Sequence, residues 1–313
     1  MLILVGILLG AALAFLYPES VLWMREGLRP AFAVTMFFVG TLVHPDEVRS
    51  FLKAPQRALS GLLCQYTIMP LCAFGASLFF DDPLLRTGII LVGCMPGAMA
   101  SNVMTALLAG DLVLSVTMTT VATLLSPLVL AFWLPLLADT RMALPVGDMV
   151  WNTTWMVAGP VVLGAGLRSL RAEVPALWNR LATGVASCAI ILIVLVVVAA
   201  NRDPLGNLGP ALIAAIVLLN LGAYALAFGA ATAMGWPDRQ RRTLVIEVGM
   251  QNAGLGSVLA LHHLGEAGAV PSAFYTALCV ITAAMALPLR KLLQRSSGLP
   301  GEESNQASES KRI

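Results

Sequence analysis

Apolar runs of 18 residues or more, almost free of charge, recur along this chain from one end to the other. Coiled as a helix, a run of that length matches the thickness of a lipid hydrocarbon core, and a soluble fold has nowhere to bury so many. The composition agrees. Of 313 residues, 58% are hydrophobic and 12% charged, with a mean hydropathy of +0.84; an ordinary soluble domain carries about 25% charged residues. The chain reads as an all-α polytopic membrane protein. A transmembrane β-barrel is excluded, because its strands would alternate polar and apolar residues with period two. The net charge of +2 gives no reason to expect nucleic acid as a partner.

Charges, glycines and prolines divide the apolar sequence into ten segments, at roughly 2–17, 28–43, 57–80, 85–109, 111–138, 146–168, 177–200, 208–234, 240–264 and 270–294. The first has no basic residues ahead of it, so it reads as a helix and not as a signal peptide. Segment four is interrupted at Met95-Pro96-Gly97, where proline removes a backbone donor and glycine loosens the chain. Gly110 alone separates segments four and five, and reads as the residue that ends one helix and releases the next.

With both termini cytoplasmic, the outer connections hold only Arg25, Arg29, Arg86, Arg141 and Arg202. The other Lys and Arg residues, fourteen of nineteen, lie in the inner connections and the tail, as the positive-inside rule asks. Short loops suit a bacterial inner membrane. The polar stretch 296–313 reads as a disordered cytoplasmic tail. Ten spans split into two sets of five, and an odd number per half forces the halves into opposite orientations, an inverted repeat. Ala100-Ser101-Asn102-Val103 in segment four and Met250-Gln251-Asn252-Ala253 in segment nine are polar interruptions at corresponding positions.

Polar groups inside hydrocarbon are costly unless partnered, so they carry the information. Glu247 is the main one, flanked by Val245, Ile246 and Val248, with no Lys or Arg deep in any segment to pair with it. Gln251 lies one helical turn on, on the same face. Ser115, Thr119 and Thr123 form a hydroxyl stripe along segment five, Ser101 and Asn102 follow the Pro96-Gly97 break, and Gln65 is buried in segment three. Carboxylate, amide, hydroxyl and freed backbone carbonyl oxygens together suit a hard monovalent cation, sodium. The N-terminal ends of half-helices would present amides to an anion. His44, His262 and His263 lie at segment ends with no cysteine spaced against them, which disfavours zinc. No nucleophile–base pair suggests an enzyme, and no cofactor is expected beyond the coupling ion. Two other readings stay open: Glu247 carrying protons, and a membrane-embedded ligand sensor.

The run from Gly93 to Thr105, continuing through Gly110-Asp111 to Leu114-Ser115-Val116, resembles the bile acid:sodium symporter family. So do Glu247-Val248-Gly249-Met250-Gln251-Asn252-Ala253, and Gln65 near Met69-Pro70. The resemblance covers about residues 2–294. It implies sodium-coupled symport of an organic anion by a ten-helix fold in two inverted five-helix repeats, with helices four and nine broken and crossing. A panel domain (1–44 and 146–200) would face a core domain (57–138 and 208–294), the membrane part ending near 295. One sodium ion would take Ser101, Asn102, Ser115, Thr119 and Glu247. A second would take Gln65, Glu247 and Gln251 with the carbonyls of Val248 and Met250. Asn252 and the amides of Met99 and Ala100 would face the substrate. Two sodium ions against one carboxylate leave a net charge near +1, which a monoanionic substrate would balance. Met99 stands where some bile-acid-handling members carry a small or hydroxyl-bearing residue, and segment ten has no histidine. Both changes make the cavity less polar, so the expected substrate is a bile acid or a smaller anion such as a pantoate-like or 2-oxo acid.

Overall fold

A computed structural model describes residues 16–43, 55–138, 144–170 and 209–296, with scattered positions at 10, 13, 14 and between 175 and 199, and side chains as far as 286. Most of segment one, most of segment seven, His44 and the tail beyond 296 lie outside the described residues. Within them all regular structure is helical. After a short turn at Glu19–Leu22 come α1 (Leu28–Leu42), α2 (Pro55–Ser77), α3 (Pro83–Cys94), α4 (Met99–Leu107) and α5 (Leu112–Leu137). Next follow α6 (Val146–Thr153), α7 (Gly159–Ser169), α8 (Pro210–Ala233), α9 (Asp238–Gly249), α10 (Ala253–His263) and α11 (Gly265–Ser296). Four are long and apolar enough to cross a membrane: α2, α5, α8 and the stretch Gly265–Ala286 of α11.

Segments four and nine are each two helices. α3 stops at Cys94 ahead of Pro96, and α9 stops at Gly249. Where the two breaks meet, Gly97 and Gln251 pair as an isolated antiparallel bridge. The Ala98 amide donates to the Met250 carbonyl, and the Asn252 amide to the Pro96 carbonyl, each at 2.7 Å. The crossing thus satisfies backbone groups that the breaks set free, as irregular backbone at membrane depth requires. The helix pairs on either side start alike. Pro55 and Pro210 open α2 and α8, Pro83 and Asp238 open α3 and α9, and Cys94 and Gly249 close them, always 155 residues apart.

Two local features differ from the sequence expectation. Segment six is not one α-helix: α6 and α7 are joined by a π-helical turn, Thr154–Ala158, in which the Gly159 amide donates to the Thr154 carbonyl. Pro160 follows and has no amide to continue an α-helical ladder, so the extra residue is accommodated just before it. At the end of α4 the left-handed residue is Ala109 (φ 51°), not Gly110. The Gly110 amide donates to Thr105 O at 2.8 Å and the Ala109 amide to Ala106 O at 3.1 Å, a Schellman closure.

α1 packs along α7 and against the π turn, which leads back into α6. The other group is built on α2 against α3 and α8, α3 and α10 against α11, and α8 against α9. At one end of the molecule Arg29 meets His262 at 3.0 Å, Asn152 meets His263 at 2.8 Å, and Arg25 pairs with Glu266 at 3.2 Å. At the other, Arg242 donates to the Ala109 carbonyl and the Asp111 amide to Thr243 Oγ1, both at 2.8 Å.

Candidate functional site

Glu247 lies two residues from the end of α9 and is fully buried. Ser101 Oγ donates to its Oε1 at 2.6 Å, Ser115 Oγ donates to the same oxygen, and Thr119 Oγ1 donates to Oε2 at 2.8 Å. These hydroxyls come from α4 and α5, which the tight elbow at 108–111 folds side by side; the Asp111 side chain caps α5 by accepting from the Leu114 amide. No basic side chain pairs with Glu247 among the described residues. An ionised carboxylate held this way has hydrogen bonds but no counter-charge, and a buried unbalanced charge costs several kcal/mol.

The oxygens around it outnumber the protons between them. The Ser115 hydroxyl has one proton and faces Glu247 Oε1, Asn102 Oδ1 at 2.8 Å and Thr105 Oγ1 at 3.1 Å. The Thr119 hydroxyl has one proton and faces Glu247 Oε2, Asn102 Oδ1 at 3.3 Å, the Ser115 carbonyl at 3.0 Å and Ser101 Oγ at 3.5 Å. Hydrogen bonding alone leaves several of these oxygens facing one another. A small cation would relieve that crowding, and an all-oxygen donor set is the kind that suits a hard ion. Thr123 stands apart: its hydroxyl donates to the Thr119 carbonyl of its own helix at 2.7 Å.

On the other side of the carboxylate lie Gln65 and Gln251. Both are buried to within 1%. Neither end of the Gln65 amide has a hydrogen-bond partner, nor does Gln251 Oε1, while Gln251 Nε2 donates to the Val248 carbonyl at 2.7 Å. Orphaned amide oxygens at zero exposure are rare, and these two have lone pairs free to ligate a cation. Gly97 sits among these groups: a Cβ there would lie 2.8 Å from Glu247 Oε2 and 3.5 Å from Gln65 Nε2. The Met250 carbonyl is already engaged by Ala98 across the crossing, with one lone pair left.

Two half-helix C-termini (α3, α9) and two N-termini (α4, α10) converge on the crossing. Met99 and Ala100, half-buried, open α4, so their amides belong to the orphan donors of its first turn. Asn252 is half-buried and uses Oδ1 to cap α10, accepting from the Leu255 amide at 3.2 Å. Sequence reasoning missed Thr105 and Asn220. Thr105 sits in the segment-four motif one turn after Ser101. Asn220, fully buried in α8, donates to the Gly249 carbonyl at 2.9 Å; an asparagine inside an apolar span was its only signal.

A family model described as the sodium bile acid symporter family matches residues 29–208. Among individual proteins, the chain is 33% identical over 274 residues to a protein of Bacillus subtilis named as an uncharacterised sodium-dependent transporter, YocS, covering 87% of this chain and 85% of that one. It is 29% identical over 260 residues to the probable chloroplastic sodium/metabolite cotransporter BASS1 of Arabidopsis thaliana, covering 82% of this chain and 65% of the relative. It is 29% identical over 232 residues to the human ileal sodium/bile acid cotransporter, covering 72% of this chain and 66% of that one.

Proposed function

Because the chain belongs to the sodium bile acid symporter family, we propose that it is a sodium-coupled secondary transporter that carries an organic anion across a membrane by alternating access. The observation that carries this reading is the buried Glu247 carboxylate, ringed by more oxygens than protons and flanked by orphaned glutamine amides.

Two sodium ions are bound as co-substrates. Ser101, Asn102, Ser115, Thr119 and Glu247 hold the first, with Thr105 beside them. Gln65, Glu247, Gln251 and the carbonyls of Val248 and Met250 hold the second. Either ion draws the carboxylate, hydroxyl and amide oxygens inward and settles contacts that hydrogen bonding leaves unresolved. With both bound, the single carboxylate leaves net positive charge at the crossing. A monoanion near the α4 and α10 N-termini, against Asn252 and the amides of Met99 and Ala100, balances it. Substrate binding and sodium binding therefore favour one another, which is the coupling symport needs. The chemical class of substrate is a small organic monoanion: a bile acid, or a pantoate-like or 2-oxo acid.

The ten spans form two inverted repeats, with α1, α6 and α7 in the panel and the remaining described helices in the core. The constant 155-residue spacing supports the repeat. The clusters at the two ends support the topology, since each joins connections that a ten-span count puts on one side: Arg25, Arg29, Asn152, His262, His263 and Glu266 outside, Ala109, Asp111, Arg242 and Thr243 inside. The excess of basic residues on the second set of connections orients the chain with both termini in the cytoplasm of a bacterium.

The test is uptake of labelled candidate anions by sealed proteoliposomes under an inward sodium gradient, then with potassium or choline replacing sodium. Uptake that collapses without sodium supports the reading. Sodium-independent uptake following a pH gradient would point to proton coupling, and binding without flux to a sensor.

A further inference from the structure

A second buried polar cluster lies outside the proposed ion sites, on the far side of the α9 break. The Gly249 carbonyl, at the end of α9, accepts from Asn220 Nδ2 on α8 and from the Tyr275 hydroxyl on α11, each at 2.9 Å. The second proton of the Asn220 amide goes to the Tyr275 oxygen at 3.0 Å, and Asn220 Oδ1 accepts from Thr282 Oγ1 at 2.7 Å. Asn220 and Tyr275 are both fully buried. Gly249 itself is pressed on a third side chain, since a Cβ there would fall 2.0 Å from Tyr224 Cε1.

The arrangement contrasts with the carboxylate site in one decisive respect. Every proton of the Asn220–Tyr275–Gly249 triangle has an acceptor, and no charge is present. The cluster is therefore saturated and has no use for a cation. Its position 155 residues after Gln65 makes Asn220 the repeat counterpart of that orphaned amide, but the counterpart of Glu247 is Val92, which supplies no charge.

We propose that Asn220 and Tyr275 are positioning residues for sodium: by holding the Gly249 carbonyl toward α8 and α11, they fix which carbonyls of the α9 break remain for the ion. With Gly249 held there, the Val248 carbonyl lies beside Gln251 and the Met250 carbonyl faces across the crossing toward Ala98. These are the two carbonyls assigned to the second sodium ion, so the inference rests on that reading and deepens it. Without the lock, the three peptide groups of the break share several arrangements, and binding must order them first.

The test is thermal unfolding of the purified full chain in detergent, titrated with sodium chloride at constant ionic strength set by potassium chloride, for the wild type, Asn220→Ala and Tyr275→Phe. The wild type is expected to gain stability with sodium. The variants should need about tenfold more sodium for half of that gain, the equivalent of one hydrogen bond's ordering, and recover it at saturation. Lithium in place of sodium should be discriminated against less by the variants than by the wild type. A merely structural role would lower the unfolding temperature equally in sodium and potassium, with the half-saturating concentration within about twofold of wild type, and that result overturns the proposal. Should Asn220→Ala fail to fold, Tyr275→Phe, which keeps the ring and one of the two donors to Gly249, decides. A flat wild-type titration is a different failure: it removes the sodium reading and this inference with it.

Discussion

At the scale of single residues the chemistry gathers on Glu247. Its oxygens accept three hydroxyl protons, and nothing basic among the described residues neutralises it. Glu247→Gln keeps the shape and removes the charge. It is expected to abolish sodium-dependent stabilisation while the unfolding temperature without sodium is unchanged or higher, since an unpaired buried charge is costly; a retained sodium response would refute the assignment. Gly97 tests the same point from the backbone. A methyl there would lie 2.8 Å from Glu247 Oε2, so Gly97→Ala should weaken sodium binding by about tenfold or more, by crowding of the kind that costs 1–3 kcal/mol in packed interiors. Sodium-titrated thermal unfolding checks both. Glu247, Gln65, Gln251, Ser101, Asn102, Ser115 and Thr119 were all legible in the sequence because a polar group in an apolar span demands a reason. What the sequence could not tell was which hydroxyls look inward. Thr119 does and Thr123, one turn on, satisfies its own helix. That difference depends on where α9 packs against α5, a tertiary property with no local signature.

Segments four and nine break for different local reasons. Pro96 lacks an amide, and that interruption could be read directly. α9 ends at Gly249 with no proline, held by side chains from α8 and α11 that lie tens of residues away in sequence. The π turn before Pro160 escaped notice because proline is tolerated in the first turn of a helix, and nothing in the residues separates a fresh start from an inserted residue. The elbow after α4 was expected to turn at Gly110, which ends one helix and releases the next. Instead Gly110 is wedged where a Cβ would meet Thr105 Cγ2 at 2.7 Å and Thr243 Oγ1 at 2.8 Å, and the strained backbone falls on Ala109. Two element-scale outcomes follow. Ala109→Gly should raise the unfolding temperature, by relief of about 1 kcal/mol of left-handed strain. Asp111→Ala should lower it, by about 1 kcal/mol for the lost cap of α5. Differential scanning fluorimetry reads both, and a lowered temperature for Ala109→Gly would show that the alanine methyl matters more than its φ.

For the whole molecule, the group of α1, α6 and α7 meets the other helices chiefly where α5 packs against α6 and the π turn, with α10 touching α6 and α1 toward the end that carries Arg25 and Glu266. An apolar cluster there includes Leu28, Phe32, Met149, Met156, Val258 and Leu261. Above it lie the exposed Arg25–Glu266 pair and the Arg29–His262 and Asn152–His263 contacts. Exposed ion pairs are worth little, so the apolar cluster supplies most of the closure. Phe32→Ala should open this end. In a protein whose native cysteines are replaced, labelling of Asn252→Cys by an impermeant thiol reagent from the face that carries Arg25 and Glu266 should rise about tenfold, for a shift of about 1.4 kcal/mol in the balance of states. Unchanged labelling would mean that the seam does not gate access. The all-helical, membrane-spanning class could be read from hydropathy, whereas the place where the two groups of helices meet is a tertiary property and leaves no local trace in the residues. The bridge at Gly97 and Gln251 then takes on a mechanical sense. Two backbone hydrogen bonds fasten the broken helices as a pin fastens a pair of scissors, so the groups that the two breaks carry are tied into one piece, and any relative movement has to fall on the hinges around that pin.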